Sequence, residues 1–253
     1  MYISVIIPAY NEEKRIEKTL LSVHEYLSRQ SYDYEIIVVS DGSKDNTVGV
    51  VSNLKSTYPD EVAASATKAG QIPNLKIIDD KENHGKGWAV RRGMLEAQGD
   101  YRLFMDADNS TTIDQIENFL PYFSQGSDIV IGSRRIAGAD IAVKQPWIRD
   151  FLGGIFRLIV HTLVPLGVKD SQAGFKCFSR KATEAVFQKQ TIFRWAFDVE
   201  ILAIALKLGF KIEEAPIRWV NDTESKVKLS GMIKMLFEVL QVRWNLWTYK
   251  YSA

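Results

Sequence analysis

Two aspartates separated by one residue, Asp106 and Asp108, follow directly on the apolar run Tyr101–Met105. Carboxylates this close repel each other unless a cation lies between them. Mg2+ or Mn2+ suits such a pair, because these hard ions take carboxylate oxygens and leave positions for phosphate. Acidic pairs at strand ends also cap helices, and Asn109-Ser110-Thr111-Thr112 ahead of Ile113 has the composition of a cap. Taken alone, the Asp106-Ala107-Asp108 triplet is divided evenly between these readings. Two more polar clusters stand beside it. Asp41-Gly42-Ser43-Lys44-Asp45-Asn46-Thr47 follows the apolar run Glu35–Ser40. There Asp41 has the chemistry to accept a hydrogen bond from a base N–H, while Asp45 reads equally as a helix cap. Asn83-His84-Gly85-Lys86-Gly87 opens a helical pattern, where Gly85 and Gly87 permit close backbone approach. The helix N-terminus and Lys86 both favour an anion there.

These clusters need a scaffold. Ile3–Ile7 reads as a strand ending at Pro8, and Ile16, Leu20, Val23 and Leu27 are spaced for one buried helix face. Further strands are expected at Glu35–Ser40, Leu75–Asp79, Tyr101–Met105 and Ile129–Ile131, with helices over Asp45–Lys55 and Lys86–Ala97. Unbroken apolar strands alternating with helices predict an α/β fold: a Rossmann-like, mostly parallel sheet with helices on both faces. Ligands bind such sheets at the carboxyl ends of the strands. Pro8–Glu12, Asp41–Asp45 and Asp106–Ser110 all fall there. Tyr58–Pro73 reads as an insertion or loop.

The second half reads differently. Phe151–Val164 is an apolar helix with Phe156, Ile159, Val160 and Leu163 on one side, and Lys181–Gln188 and Val199–Leu208 are further helices. Ile212–Val220 reads as one edge strand, the place where Pro216 is tolerated. Met232–Trp247 is an amphipathic helix. We expect one domain over residues 1–253, with an N-terminal nucleotide-binding half, 1–131, and a C-terminal, more helical acceptor half, 132–253.

The formal net charge of +1 gives no bulk argument for nucleic acid. The single cysteine, Cys177, excludes an intramolecular disulfide, argues against a cysteine zinc site and fits a reducing compartment. MYISVIIPAY reads as a first strand and not a signal peptide, since no basic segment precedes its apolar run. Arg157 and His161 interrupt the longest apolar stretch, which is short of the roughly 20 residues a membrane span needs. His24, His84 and His161 lack metal-ligand spacing.

In order and spacing, Pro8-Ala9-Tyr10-Asn11-Glu12, Val39–Ser43 with Asp45-Asn46-Thr47, Asn83–Gly87 and Asp106–Asp108 resemble the family 2 glycosyltransferases. Gly132-Ser133-Arg134, Asp170-Ser171-Gln172-Ala173-Gly174-Phe175-Lys176 and Phe197-Asp198-Val199-Glu200 are similar to motifs of its polyprenyl-phosphate group, which includes dolichyl-phosphate glucose and mannose synthases. The Phe-Asp-Val-Glu form and the insertion lean towards the glucose enzymes. The resemblance implies a GT-A fold and inverting transfer of a hexose from UDP-glucose, or else GDP-mannose, to a polyprenyl or dolichyl phosphate. A glycan acceptor is the alternative. It implies that Pro8, Ala9, Tyr10, Glu12, Asp41, Gly85, Lys86, Asp106, Ala107 and Asp108 bind the nucleotide sugar. Asp106 and Asp108, with Ser110 where some relatives carry a glutamine, would hold Mg2+ or Mn2+. Arg134, Arg149, Ser225 and Lys226 would hold the acceptor phosphate, although Glu224 replaces the family's glycine beside the last two. Asp198, Arg134 and Gln172 would serve the transfer, Asp198 and Gln172 by touching sugar hydroxyls or orienting neighbours. A lipid acceptor places the chain on the cytoplasmic face of a membrane, touching it through Met232–Trp247 or Phe151–Val164. Trp244, Trp247 and Tyr249 with Lys234, Arg243 and Lys250 are the residue types found at such interfaces.

Overall fold

The computed structural model describes residues 1–55, 71–143, 147–220, 229–248 and 250–251, and for 143, 147–152 and 229–233 it describes the backbone alone. Most of the expected insertion, together with Ser225, Lys226 and Tyr249, lies outside the described residues, as does the side chain of Arg149.

Seven strands form one sheet in the order β3-β2-β1-β4-β7-β5-β8. They are β1 (Tyr2–Ala9), β2 (Asp33–Asp41), β3 (Leu75–Asp80), β4 (Tyr101–Phe104), β5 (Ile129–Ser133), β7 (Lys176–Ser179) and β8 (Ile212–Pro216). β1 is flanked by parallel β2 and β4, with Val5 opposite Ile36 and Leu103. Alternate residues of a strand face opposite sides of the sheet. Ile6, Ile37 and Val39 therefore enter one core, and Ile3, Val5, Ile7, Ile36 and Val38 the other. The second core is closed by α1 (Ile16–Leu27), α2 (Thr47–Leu54), a 3₁₀ turn (Ile113–Asn118) and α4 (Leu120–Ser124). The first is closed by α3 (Lys86–Glu96), α5 (Trp147–Leu163), α6 (Arg180–Lys189), α7 (Phe197–Lys207) and α8 (Leu229–Trp247). The expected mostly parallel sheet with helices on both faces is borne out.

Two details differ from the sequence reading. β7 was not expected; it runs antiparallel between β4 and β5, with Cys177 opposite Leu103 and Val130. Its pattern is hidden because it begins with Lys176, which is nevertheless fully buried. The expected single strand Ile212–Val220 is two. β8 is the sheet's edge, whereas β9 (Arg218–Val220) pairs with β6 (Asp140–Val143) in a separate ribbon. Pro216 ends the first, since it has no N–H to extend a ladder. β7 and β8 come from beyond residue 131, so the two halves share one sheet.

Candidate active site

The strand order reverses at β1: β2 and β3 extend to one side, and β4 lies on the other. This is the switch point at which open α/β sheets leave a crevice. Both non-glycine residues with positive φ among the described residues, Asn11 and Asn109 at 56°, lie just past the ends of β1 and β4. That conformation is uncommon outside glycine and turns the chain sharply at each edge. The loops after β1 and β2 are laced together. Lys44 N donates to Asn11 Oδ1 at 2.8 Å, and Glu12 N to Thr47 Oγ1 at 2.8 Å. Asp45 accepts from Thr47 N at 3.0 Å and Glu13 N at 3.1 Å and so closes the turn ahead of α2, whose N-cap residue is Asn46 and not Asp45. Pro8 and Ala9 end β1, and Tyr10 follows, 37% exposed. The Glu12 carboxylate pairs with Arg15.

Asp41 is 2% exposed and already well supplied with donors. Its carboxylate accepts from His84 N at 2.8 Å, Gly85 N at 2.7 Å and Asn83 Nδ2 at 3.0 Å. It ties the end of β2 to the start of α3. Gly85 has φ 112°, and a Cβ there would meet Phe193 O; one on Gly87 would stand 2.6 Å from Phe197 Cβ. Both glycines thus admit another part of the chain, where the sequence reading had a ligand approach.

The structure draws the charged residues of both halves into one group. Lys86 Nζ, at the start of α3, is 2.5 Å from Asp106 Oδ1. Burial opposes the Lys86 charge, but Asp106 and then Asp198 outweigh it and hold its pKa above the ordinary value. Gly174 leaves room for Asp106, because a Cβ would collide with that carboxylate. Asp108 Oδ1 accepts from Ser110 N at 2.9 Å, so Ser110 steadies Asp108 from behind. Burial, followed by repulsion from Asp106, raises the Asp108 pKa. Thr19 Oγ1 donates to Ala107 O at 2.7 Å and anchors the triplet to α1.

Across from the triplet, Lys176 pairs with Asp198, itself 6% exposed, and also donates to Ala173 O. Burial pushes the Asp198 carboxyl up, against the pull of Lys176 and Lys86. Arg134 forks onto buried Asp170 through Nε at 2.8 Å and Nη2 at 2.9 Å, and Trp219 lies 5.2 Å from the guanidinium. Its charge also interacts with Asp106 and Asp198. Asp106, Asp108, Asp170 and Asp198 against Lys86, Lys176 and Arg134 leave one carboxylate in excess.

The sequence reading missed Lys176, Asp170 and Gly174 as individual site residues, and Arg15, whose charge acts on Asp108. A lysine inside Phe175–Phe178 was the available signal, because a buried ammonium requires a partner. Gln172 turns Nε2 towards Met235 Sδ at 3.7 Å on α8. Glu200, the last residue of the Phe-Asp-Val-Glu motif, is fully buried and takes the N–H groups of Thr191 and Ile192 and the hydroxyl of Tyr251, which is a structural job.

The donor set suits a hard divalent ion. Asp106 and Asp108 supply carboxylate oxygens, and the neighbouring Asn109 Oδ1 is buried with no hydrogen-bond partner in the protein. Among the described residues no group of three or more His, Cys, Asp or Glu is arranged to hold a metal, so an ion here would complete its shell with phosphate and water.

Residues 4–187 match the description Glycosyl transferase family 2. The chain belongs to this family. This family 2 glycosyltransferase is 37% identical to a dolichyl-phosphate beta-glucosyltransferase of Trichomonas vaginalis, over 100% of its own length and 75% of the relative's. It is 35% identical to a dolichyl-phosphate beta-glucosyltransferase of Dictyostelium discoideum, over 97% and 75% of the two chains. The Saccharomyces cerevisiae enzyme of the same description is 33% identical, over 96% and 74%. Among solved structures it resembles mannosyl-3-phosphoglycerate synthase from Rubrobacter xylanophilus, with TM-score 0.66 and 18% identity over 100% and 76% of the chains. It also resembles glucosyl-3-phosphoglycerate synthase from Mycobacterium tuberculosis in complex with Mn2+ and UDP-glucose, with TM-score 0.65 and 19% identity over 97% and 78%. Its fold is that of the GT-A glycosyltransferases.

Proposed function

We propose that this glycosyltransferase moves glucose from UDP-glucose to a polyprenyl phosphate of the dolichyl type, with inversion at the sugar. The observation that carries this reading is the charge group: a carboxylate pair at the end of β4 that meets Lys86 and Arg134, with the Asp198–Lys176 pair beside it. Such a site suits a reaction between two phosphates, a nucleotide diphosphate that leaves and a lipid phosphate that attacks. The names of the relatives support the sugar and the lipid.

Pro8, Ala9 and Tyr10 line the nucleoside, and Asp41 orders the base side by holding the Asn83–Gly85 turn. Asp106 and Asp108 would hold a divalent ion, Mg2+ or Mn2+, which when bound would supply positive charge to the leaving diphosphate. Lys86, at the positive end of α3, adds charge on the same side. The acceptor phosphate is ionised at neutral pH, so no strong base is required. The protein's task is to neutralise and align it. A guanidinium has five N–H donors, and the Asp170 fork uses two, which leaves Arg134 able to bind phosphate while rigidly held. Arg149, Ser225 and Lys226 remain proposed partners for that phosphate, and Gln172 a proposed neighbour of the sugar. Asp198, kept in place by Lys176, faces the sugar.

The lipid acceptor requires a surface, and α8 offers one. Phe237, Leu240, Trp244 and Trp247 are 67%, 44%, 59% and 69% exposed at helical spacing, beside exposed Lys234 and Arg243. Helix α5, which packs on α8, exposes Ile155 and Leu158. Among the described residues no helix is long and apolar enough to cross a membrane. We assign α8 to the interface of an anionic cytoplasmic leaflet, where aromatic and basic side chains are favoured together.

The test incubates the protein with Mn2+, radiolabelled UDP-glucose and a short polyprenyl phosphate. Label should pass into the organic phase. Transfer only from GDP-mannose would replace the sugar, and transfer only to a soluble glycan would replace the lipid.

A further inference from the structure

The inner side of α8 holds the segment that joins the two charged helix ends. Glu238 turns a single oxygen, Oε2, to Trp195 N at 3.0 Å and Ala196 N at 2.8 Å. Ala196 is the N-cap of α7 and has no side-chain cap from its own neighbours. The first N–H groups of a helix lack intrahelical partners, and an anion placed there also meets the positive end of the helix dipole. Glu238 supplies that anion from another helix, two residues before Asp198. The same segment is fastened to the start of α3. Phe193 O accepts from Trp88 N at 3.1 Å, the Phe193 ring stands edge-on to Trp88 at 5.2 Å, and Gln190 Nε2 donates to Gly87 O at 3.0 Å. Segment 190–196 therefore touches the helix turn that carries Lys86 and the one that carries Asp198.

We infer that Glu238 is a positioning residue for sugar transfer, holding segment 190–196 so that Asp198 and Lys86 keep their places around Asp106. The inference rests on the reading of that charge group as the reacting site. Glu238 acts through the two backbone N–H groups and touches no reacting atom.

The geometry makes a specific forecast. Because both bonds end on one oxygen, a glutamine carbonyl accepts both, whereas alanine removes them and aspartate withdraws the oxygen while keeping the charge. Glu238→Ala and Glu238→Asp should lower kcat by about tenfold to a hundredfold, the scale of a misplacement near 1 Å. UDP affinity, measured by titration calorimetry, should fall by a smaller factor than kcat, since Pro8–Tyr10 are held by the loops after β1 and β2 and only the Lys86 charge on the diphosphate side shifts. Glu238→Gln should restore most of kcat. A structural role alone would lower the melting temperature of the alanine and aspartate variants and leave kcat per folded molecule unchanged. If Glu238→Ala does not fold, Glu238→Asp carries the test. Wild-type kcat in folded Glu238→Ala or Glu238→Asp, or a Gln variant as slow as these, overturns the inference. Asp198→Asn is measured alongside. Full activity there removes the underlying reading, whereas a slow Asp198→Asn beside a fast Glu238→Ala removes only this inference.

Discussion

Two buried carboxylates lie at opposite ends of the same sheet and are treated in opposite ways. Glu35, near the amino end of β2, is 1% exposed and accepts from Ser4 Oγ at 2.6 Å, Gln98 N at 2.7 Å and Lys76 Nζ at 2.8 Å. Burial works to raise its pKa, but the bonds from Lys76, Ser4 and Gln98 win, and the carboxyl is held below its ordinary range. Asp198, at the carboxyl-end site, is also buried, yet burial wins there and raises its pKa in spite of Lys176 and Lys86. The difference is one of supply. Glu35 has hydrogen bonds to both oxygens from β1, β3 and the loop before β4, and its region is closed. Asp198 relies on Lys176, and repulsion from Asp106 adds to its burden. A burdened carboxylate at a crevice is the feature that marks function, because perturbed groups cluster where charge has work to do.

This contrast can be broken by experiment. The largest effect is expected at Lys176→Met. Removing one partner of a buried ion pair strands the other, which costs about 3–5 kcal/mol. Urea denaturation should show that loss, and adding Asp198→Asn should recover at least half of it. A loss below about 1 kcal/mol, the worth of an exposed pair, would mean that Asp198 is not burdened.

Next comes Asp108→Asn. Catalysis should fall by about 100-fold to 1,000-fold, the scale of losing one charge-stabilising group. Stability should hold or rise, because the variant relieves repulsion between Asp106 and Asp108. A marked drop in melting temperature with intact kcat would make the triplet a structural cap.

Glu35→Gln should do the reverse: kcat unchanged, with stability down by about 1–3 kcal/mol, the penalty for disturbing a buried hydrogen-bonded group. The pH dependence carries a sign. A carboxyl whose folded pKa is depressed contributes fully above its unfolded pKa and loses that contribution as pH falls through the folded value. Wild type should therefore lose stability on the acid side of the ordinary glutamate range more steeply than Glu35→Gln. Asp198, with its pKa raised, pulls the other way, so Asp198→Asn should steepen that acid-side loss. Equal slopes in all three would erase the contrast.

The smallest effect lies outside both regions. Replacing Trp244 and Trp247 with serine should weaken sedimentation with anionic liposomes by about tenfold, the two indoles together burying apolar surface worth ~1–2 kcal/mol. Activity on a short soluble acceptor should stay the same. Unchanged sedimentation would remove α8 from the membrane surface.

Local pattern alone reveals much of the framework. The runs at Ile3–Ile7, Glu35–Ser40 and Tyr101–Met105 identify β1, β2 and β4, because parallel strands buried on both faces must be apolar throughout. Their polar ends, Asp41 and Asp106–Asp108, must then emerge at one edge. Family motifs supply the class of reaction. Local pattern fails at β7, where a lysine stands in the core and only a partner 22 residues away along the chain makes that tolerable. It fails at Gly85 and Gly87, whose close neighbours are Phe193 and Phe197. It fails again at Glu238, which reads as a polar residue in an amphipathic helix and caps a helix more than 40 positions earlier. In each case the deciding partner is distant in sequence. Burial makes an unpaired charge or N–H expensive, so the fold, and no spacing along the chain, selects which residues meet. Asp198 and Lys86 belong to one site because a shared segment and a shared sheet edge bring two helix ends together.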